Sequence, residues 1–456
     1  MRKILYYLYV CFSIIVAGYC SFVSITNEFN LIITQATIPV VYTIIVILLG
    51  SRLLKNNEPS LVVLWLTYIS TLRYLITPLS WYIGGMSPLM HAENTTASIL
   101  LTLYEMIVVF LILYYAVPRK WENGIFHNLN MNSTSNVGTL FIIIFLAFAI
   151  IKYPDYITRL SSATIEEMEE ITIESSVRGM FNLGYISGWI ALYCCVISIH
   201  KKMRPKGVWS AILISFLFAW IIALGTGGHF SRTSFLNHGL IILSIVVCLY
   251  SQYSKRIITL TVPILLIVML LGTMARFELS SDTALDTLFG YDSMNAYYAG
   301  VENINVALAM DYSRFHLSTL INDFIASVPF LATRIGVDFT DRTPYIFNET
   351  FFAGSYLSIS RICPLIGQGV AYFTAAFSPI FDIFFTMCCL KFEHKIRSSE
   401  NMLEYYAFFL LTIFTCGFLG SNINTMMNGW CNRVLPLMVV VLMNKKLKFS
   451  FNRKAY

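Results

Sequence analysis

Charged residues are scarce in this 456-residue sequence: they make up 12% of it, against 57% hydrophobic residues, where a soluble globular chain carries about 25% charged residues. With a mean hydropathy of +0.68, an ordinary water-soluble domain is excluded. Also absent are a GxxxxGK[ST] phosphate loop, an Asp-x-Asp to hold a metal beside a nucleotide sugar, HExxH and GxSxG. Nucleotide-driven chemistry is therefore not expected, and the reading calls for no cofactor and no metal. The cysteines show neither a disulfide framework nor zinc spacing. Eight of the ten (Cys11, Cys20, Cys194, Cys195, Cys248, Cys388, Cys389 and Cys416) fall inside apolar runs as small hydrophobes. Only Cys363 and Cys431 are placed where a bridge is conceivable.

What the sequence has instead is apolar runs of membrane length. They cover approximately 4 to 25, 31 to 49, 60 to 83, 98 to 117, 138 to 153, 180 to 199, 208 to 224, 235 to 250, 257 to 273, 370 to 390, 405 to 421 and 430 to 443, and each fits about 30 Å of hydrocarbon. The expected fold is an all-α polytopic membrane protein, one domain over residues 1–456, with about twelve transmembrane helices. Alternate connections are basic: Arg52 and Lys55; Arg119 and Lys120; Lys201, Lys202, Arg204 and Lys206; Lys255 and Arg256; Lys391, Lys395 and Arg397; then the tail from Lys445. The positive-inside rule places these connections and both termini in the cytoplasm. The net charge of +6 thus reflects topology, and nucleic acid is not a partner. Arg2 and Lys3 resemble the flank of a signal peptide, but the apolar run is too long and has no small-residue cleavage site, so an uncleaved first span is expected.

One long polar interruption, residues 276–369, lies between the ninth and tenth runs and is expected as a large extracytoplasmic loop. Roughly 90 residues is far more than a helix connection needs. Its basic residues are five arginines (Arg276, Arg314, Arg334, Arg342, Arg361) and no lysine, beside ten acids. Arginine without lysine suits bidentate recognition of phosphate or carboxylate; structural Arg–Asp pairs would leave the same composition. A second outer connection, near 152–179, is dense in glutamate (Glu166, Glu167, Glu169, Glu170, Glu174). Such a surface repels a phosphorylated ligand and reads as a solvated acidic helix.

Four constellations could carry chemistry. Gly225-Thr-Gly-Gly-His-Phe-Ser-Arg-Thr-Ser234 is a tight turn opening into a helix. It offers backbone N–H groups, helix-end positive charge, Arg232 and His229 to an anion, or else is a glycine turn with an interfacial arginine. Residues 311–330 read as an amphipathic helix. Leu317, Leu320, Ile321, Phe324, Ile325 and Val328 share one arc, with His316, Ser318, Thr319, Asn322 and Asp323 away from it. Lying on the outer leaflet, it would hold Arg314 at headgroup depth; packed on the spans, it would pair Arg314 with Asp311. In residues 348–369, Glu349 is a candidate general base toward a sugar hydroxyl and Arg361 a phosphate clamp, with a structural Glu349–Arg361 pair as the alternative. Inside the bilayer, Arg73 and Glu105 on adjacent spans suggest an ion pair, and Asp382 is a third intramembrane charge.

The chain resembles the Wzy-type polymerases that join O-antigen or capsule repeat units. The resemblance rests on about a dozen spans with both ends inside, a dominant late outer loop, the Gly-rich turn with Arg232 before a helix, and Pro364-Leu-Ile-Gly367 at the loop's return. It implies transfer of a growing glycan from undecaprenyl pyrophosphate to the sugar of an incoming lipid-linked repeat unit, on the outer face of a bacterial inner membrane and without metal. It also implies a chain-length regulator and a flippase as partners in that membrane. By this analogy Arg232, Arg314 and Arg361, with Glu349, carry the catalysis, and His229, Arg276 and Arg73 are substrate-binding candidates. Two other classes remain open: a lipid-linked oligosaccharide flippase, disfavoured by one large asymmetric loop and no internal repeat, and an O-antigen ligase, which differs in its acceptor.

Overall fold

The computed structural model describes residues 2–27, 34–54, 60–130, 137–152, 175–225, 232–277, 290–328, 331–337, 340–353 and 361–447. The side chains of Arg2 and of 175–183, 225, 232–233, 266, 268–277 and 332–333 lie outside that description. Helices account for the regular structure, and a single bridge, Asn130 with Asn401, is the only β pairing among the described residues. Each apolar run overlaps a helix. This is a helical membrane protein.

Helix and crossing are not the same thing, however. Six helices among the described residues are long and apolar enough to cross a bilayer: Lys3–Thr26, Leu61–Ile83, Ala92–Ala116, Ala375–Ser398, Met402–Gly420 and Ile423–Lys446. Thr37–Leu53, Val137–Lys152 and Val208–Leu224 are apolar but shorter; at 1.5 Å per residue they reach about 25 Å. The runs expected as spans eight and nine form one pair, Ser234–Leu249 and Ser251–Leu265, bent by 110°.

Contacts divide the chain into two compact units. The first comprises Met1–Glu122, Leu285–Glu393 and Thr412–Asn428. Its helix Leu61–Thr71 starts where Ser60 caps the N–H of Val63. Glu393 accepts from the N–H groups of Leu61 at 2.8 Å and Val62 at 3.1 Å and from the Ser60 hydroxyl. A buried carboxylate is stable there because the first-turn N–H groups have no helical partner and the helix dipole favours negative charge. Deeper in, Tyr42 is fully enclosed, its hydroxyl 2.8 Å from that of Tyr9 and its ring against Tyr74 and Phe110.

The described residues between 290 and 372 of this unit include a series of short helices, Tyr291–Tyr298, Val301–Leu308, Leu317–Ile325, Leu331–Ile335, Thr343–Phe351 and Leu365–Tyr372. Val301–Leu308 is buried from Val301 to Ala307. It is tied to the 84–94 connection: Asn305 donates to the Met90 carbonyl at 3.0 Å and to Thr95 at 3.2 Å, and the Met90 N–H donates to Glu302.

The second unit comprises Asn123–Ala284, His394–Leu411 and Gly429–Tyr456. Small residues let its helices approach closely. A Cβ on Gly188 would lie 2.6 Å from the Leu146 Cβ, and one on Gly138 would lie 2.8 Å from the Val440 carbonyl. Polar side chains add specific ties, with Asn444 and Thr139 exchanging two hydrogen bonds and Tyr193 meeting Ser215 at 3.0 Å.

Among the described residues two π-turns interrupt apolar helices, Leu72–Ile76 and Trp430–Val434, and each contains an arginine, Arg73 and Arg433. The physical reason is the proline that follows, Pro78 or Pro436. Its ring collides with the carbonyl four residues back, and opening the preceding turn by one residue relieves the collision. Thr77 and Leu435 accordingly donate five residues back, to Leu72 and Trp430.

Candidate functional site

Helix Thr343–Phe351 of the first unit organises the two arginines whose side chains the structure describes among the expected catalytic set. Its start is set by Thr343 and Pro344, proline being suited to a first helical turn. Glu349, on this helix, receives Arg314 Nη1 at 2.7 Å, while Arg314 Nη2 donates to the Thr340 carbonyl at 3.3 Å. Next to it in sequence, Asn348 grips the backbone of Arg361 from both sides, accepting from its N–H at 3.1 Å and donating to its carbonyl at 3.0 Å. The Arg361 guanidinium lies 5.0 Å from the Phe351 ring centre and donates to the Asp292 carbonyl at 3.0 Å.

Both guanidinium groups are partly exposed. Stacked on an aromatic ring and held by carbonyl contacts, Arg361 keeps an always-charged fork available to an anion. Glu349 therefore pairs with Arg314; neither Arg314–Asp311 nor Glu349–Arg361 is the ion pair that forms. Asp311 instead caps the short turn Tyr312–Arg314 through Ser313.

Among the described residues of the amphipathic segment the α-helix spans Leu317–Ile325, and its apolar face is turned outward. Leu317 is 71% exposed and Ile321 45%, whereas Thr319 and Asp323 are fully enclosed. An apolar face directed away from the protein is stable where lipid covers it.

The enclosed polar face contains a site that the sequence reading missed. Asp323 accepts from the Thr343 N–H at 3.0 Å, the Thr343 hydroxyl, the Tyr372 hydroxyl at 2.9 Å and Gln368 Nε2 at 3.3 Å. Gln368 in turn accepts from the Ile423 N–H at 2.9 Å. One carboxyl thus ties three helices around the two arginines. Burial pushes the Asp323 carboxyl up to about 6, against the opposing pull of its donors and of nearby Arg342. The helical pattern put Asp323 off the apolar arc without naming a partner; the Thr-Pro start at Thr343, whose free N–H groups need an acceptor, was the available clue. Glu302 is similar, with burial raising its carboxyl despite donors from Met90 and Asn295.

Arg73 is enclosed, 2% exposed, with its guanidinium 2.8 Å from Glu105. The expected intramembrane ion pair is present, and Arg73 does not reach a surface. Arg232 and Arg276 lie at the first turn of Arg232–Leu249 and the last of Ser254–Phe277, with side chains outside the described set. His229 and the acidic stretch 166–174 lie outside the described residues. All ten cysteines, Cys363 and Cys431 included, are free thiols. No group of three metal-ligating side chains occurs among the described residues. No family model, curated protein or solved structure matches the chain.

Proposed function

We propose that this chain polymerises undecaprenyl-pyrophosphate-linked oligosaccharide repeat units on the outer face of the bacterial cytoplasmic membrane. In this reading all twelve apolar runs are membrane segments, both termini are cytoplasmic, and residues 276–369 face outward with the sites above. The observation that carries it is the Thr343–Phe351 helix, which presents Arg314 and Arg361, partly exposed, beside an outward-turned apolar helix. A lipid-linked pyrophosphate needs that pairing of cationic forks with an apolar surface.

In the reaction, a sugar hydroxyl of the incoming unit attacks the anomeric carbon of the growing chain. Glu349 takes the hydroxyl proton, the bond from anomeric carbon to pyrophosphate oxygen breaks, and undecaprenyl pyrophosphate departs with its charge on Arg314 and Arg361. Asp323 and Asn348 set the positions of the segments that carry these groups.

Deleting the gene, in a host whose glycan is carried on lipopolysaccharide, should leave a lipid A core bearing one repeat unit and no ladder. Arg361→Ala should do the same at normal protein level, and Arg361→Lys should restore the ladder incompletely because lysine lacks the bidentate fork. Wild-type ladders from Arg361→Ala would remove this arginine from the chemistry. The buried charges around Arg73 favour a second reading, a lipid-linked oligosaccharide flippase, since ionisable groups within spans mark transport pathways. That reading predicts a bare core in the deletion strain, whereas polymer accumulating on the lipid carrier would point to a ligase.

A further inference from the structure

The Arg73–Glu105 pair has a third member, Asp382, that the proposed polymerase reaction does not use. Arg73, Glu105 and Asp382 come from three candidate spans, Leu61–Ile83, Ala92–Ala116 and Ala375–Ser398, and are 2%, 0% and 0% exposed. Counted from Ile83 and Thr95, the first two lie about 15 Å along their helices from the same connection. The Tyr74 hydroxyl donates to Glu105 Oε2 at 3.0 Å, the oxygen that also meets Arg73. Glu105 Oε1 and both Asp382 carboxyl oxygens meet no hydrogen-bond donor, and Arg73 Nε and Nη1 meet no acceptor. The titratable and charged groups facing Asp382 are Glu105, Arg73 and Tyr74.

One guanidinium against two carboxylates leaves a net negative charge in an enclosed, low-dielectric place. Such a charge is too costly to stand alone. Carboxyl groups that share a site relieve the cost by retaining one proton between them. The atoms a proton would satisfy are the ones lacking a donor here, Glu105 Oε1 and the two Asp382 oxygens. An alkali cation fits less well, because it wants a shell of several oxygens, and the guanidinium already occupies one side of Glu105. Arg73 also sits on a π-turn, a feature frequent at functional sites. That turn packs on helix Tyr291–Tyr298, whose Asp292 carbonyl holds Arg361.

We propose that Glu105 and Asp382 together bind one exchangeable proton in the membrane interior, with Arg73 limiting the site to one. The proposal is independent of the reaction assigned above. It is tested on the full-length protein in lipid nanodiscs by infrared difference spectroscopy during acid–base titration. The expected result is a protonated-carboxyl stretching band that persists at pH values above the Asp323 transition at about 6, is equivalent there to one proton per chain and shifts in heavy water. Asp382→Asn should abolish this band, and Glu105→Gln should abolish or displace it. Arg73→Gln, which removes the compensating charge, should double it. Asp311→Asn, at an exposed carboxyl, should leave it unchanged, as should replacing sodium with choline at constant pH. A wild-type protein without the band, a band that does not shift in heavy water, or one unaltered in both carboxyl variants would overturn the proposal. A band that sodium abolishes would replace the proton with an alkali cation. The wild-type titration decides the matter even if a variant fails to fold.

Discussion

Each compact unit carries an arginine on a π-turn of an apolar helix ahead of a proline, yet the two arginines meet different surroundings. In the first unit Arg73 is enclosed with Glu105 and Asp382, a cluster of formal charges. In the second, half-buried Arg433 stands within electrostatic reach of His238, whose Nδ1 is 2.7 Å from the Tyr406 hydroxyl and whose ring stacks on that of Tyr406. The same local device, proline opening a helix by one residue, therefore serves two electrostatic designs. The difference is that the first cluster can change its charge by binding a proton between carboxyl groups, whereas the described partners of His238 are a phenol and a guanidinium.

The largest expected effect comes from breaking the charged cluster. Arg73→Met leaves two buried carboxyl groups without a counter-ion and should destabilise the protein by about 3 to 5 kcal/mol. The matching double variant Arg73→Met/Glu105→Met, which removes both charges, should recover a good part of that loss. Thermal denaturation in detergent reads both, and equal losses from the single and double variants would mean that packing, not charge, sets the cost.

A smaller effect of the same kind belongs to Asp323 in the first unit. Its folded carboxyl titrates at about 6, above its ordinary 3.8. The associated stability is present in full below the ordinary value and is lost as pH rises through about 6, in all on the order of 3 kcal/mol. Protection factors of residues 317–351, corrected for the intrinsic pH dependence of amide exchange, should therefore be higher at pH 4 than at pH 7, and Asp323→Asn should flatten that dependence. Protection that rises with pH in the wild type would reverse the sign and refute the assignment.

His238→Leu probes the second unit's cluster. It orphans the enclosed Tyr406 hydroxyl, and its expected cost is about 1 to 2 kcal/mol. Adding Tyr406→Phe should return most of it, again by thermal denaturation, if the hydrogen bond and not the ring stack carries the energy. At the small end stands the pair Lys445–Glu404, 2.7 Å apart with Lys445 56% exposed. Lys445→Ala should change stability by less than about 1 kcal/mol, and less still in high salt. A loss comparable to that of Arg73→Met would contradict the contrast between buried and solvated charge.

The sequence by itself determined the helical membrane character, because twelve apolar runs exceed anything a soluble core requires, and each run overlaps a helix. It also singled out Arg73, Glu105 and Asp382, since charge inside an apolar run is rare whatever the fold. Proline after an arginine at positions 78 and 436 was legible too, though the π-turns it produces were not. Only the tertiary structure joined Asp382 to the Arg73–Glu105 pair, turned the apolar face of Leu317–Ile325 outward, and enclosed Asp323 with Thr343, Gln368 and Tyr372. It likewise gave Glu349 to Arg314 rather than Arg361. The physical reason is common to the three polar cases. Local pattern reports how strongly each residue favours water or lipid, but a buried polar group is stabilised by a particular partner, and that partner arrives from a segment tens to hundreds of residues away.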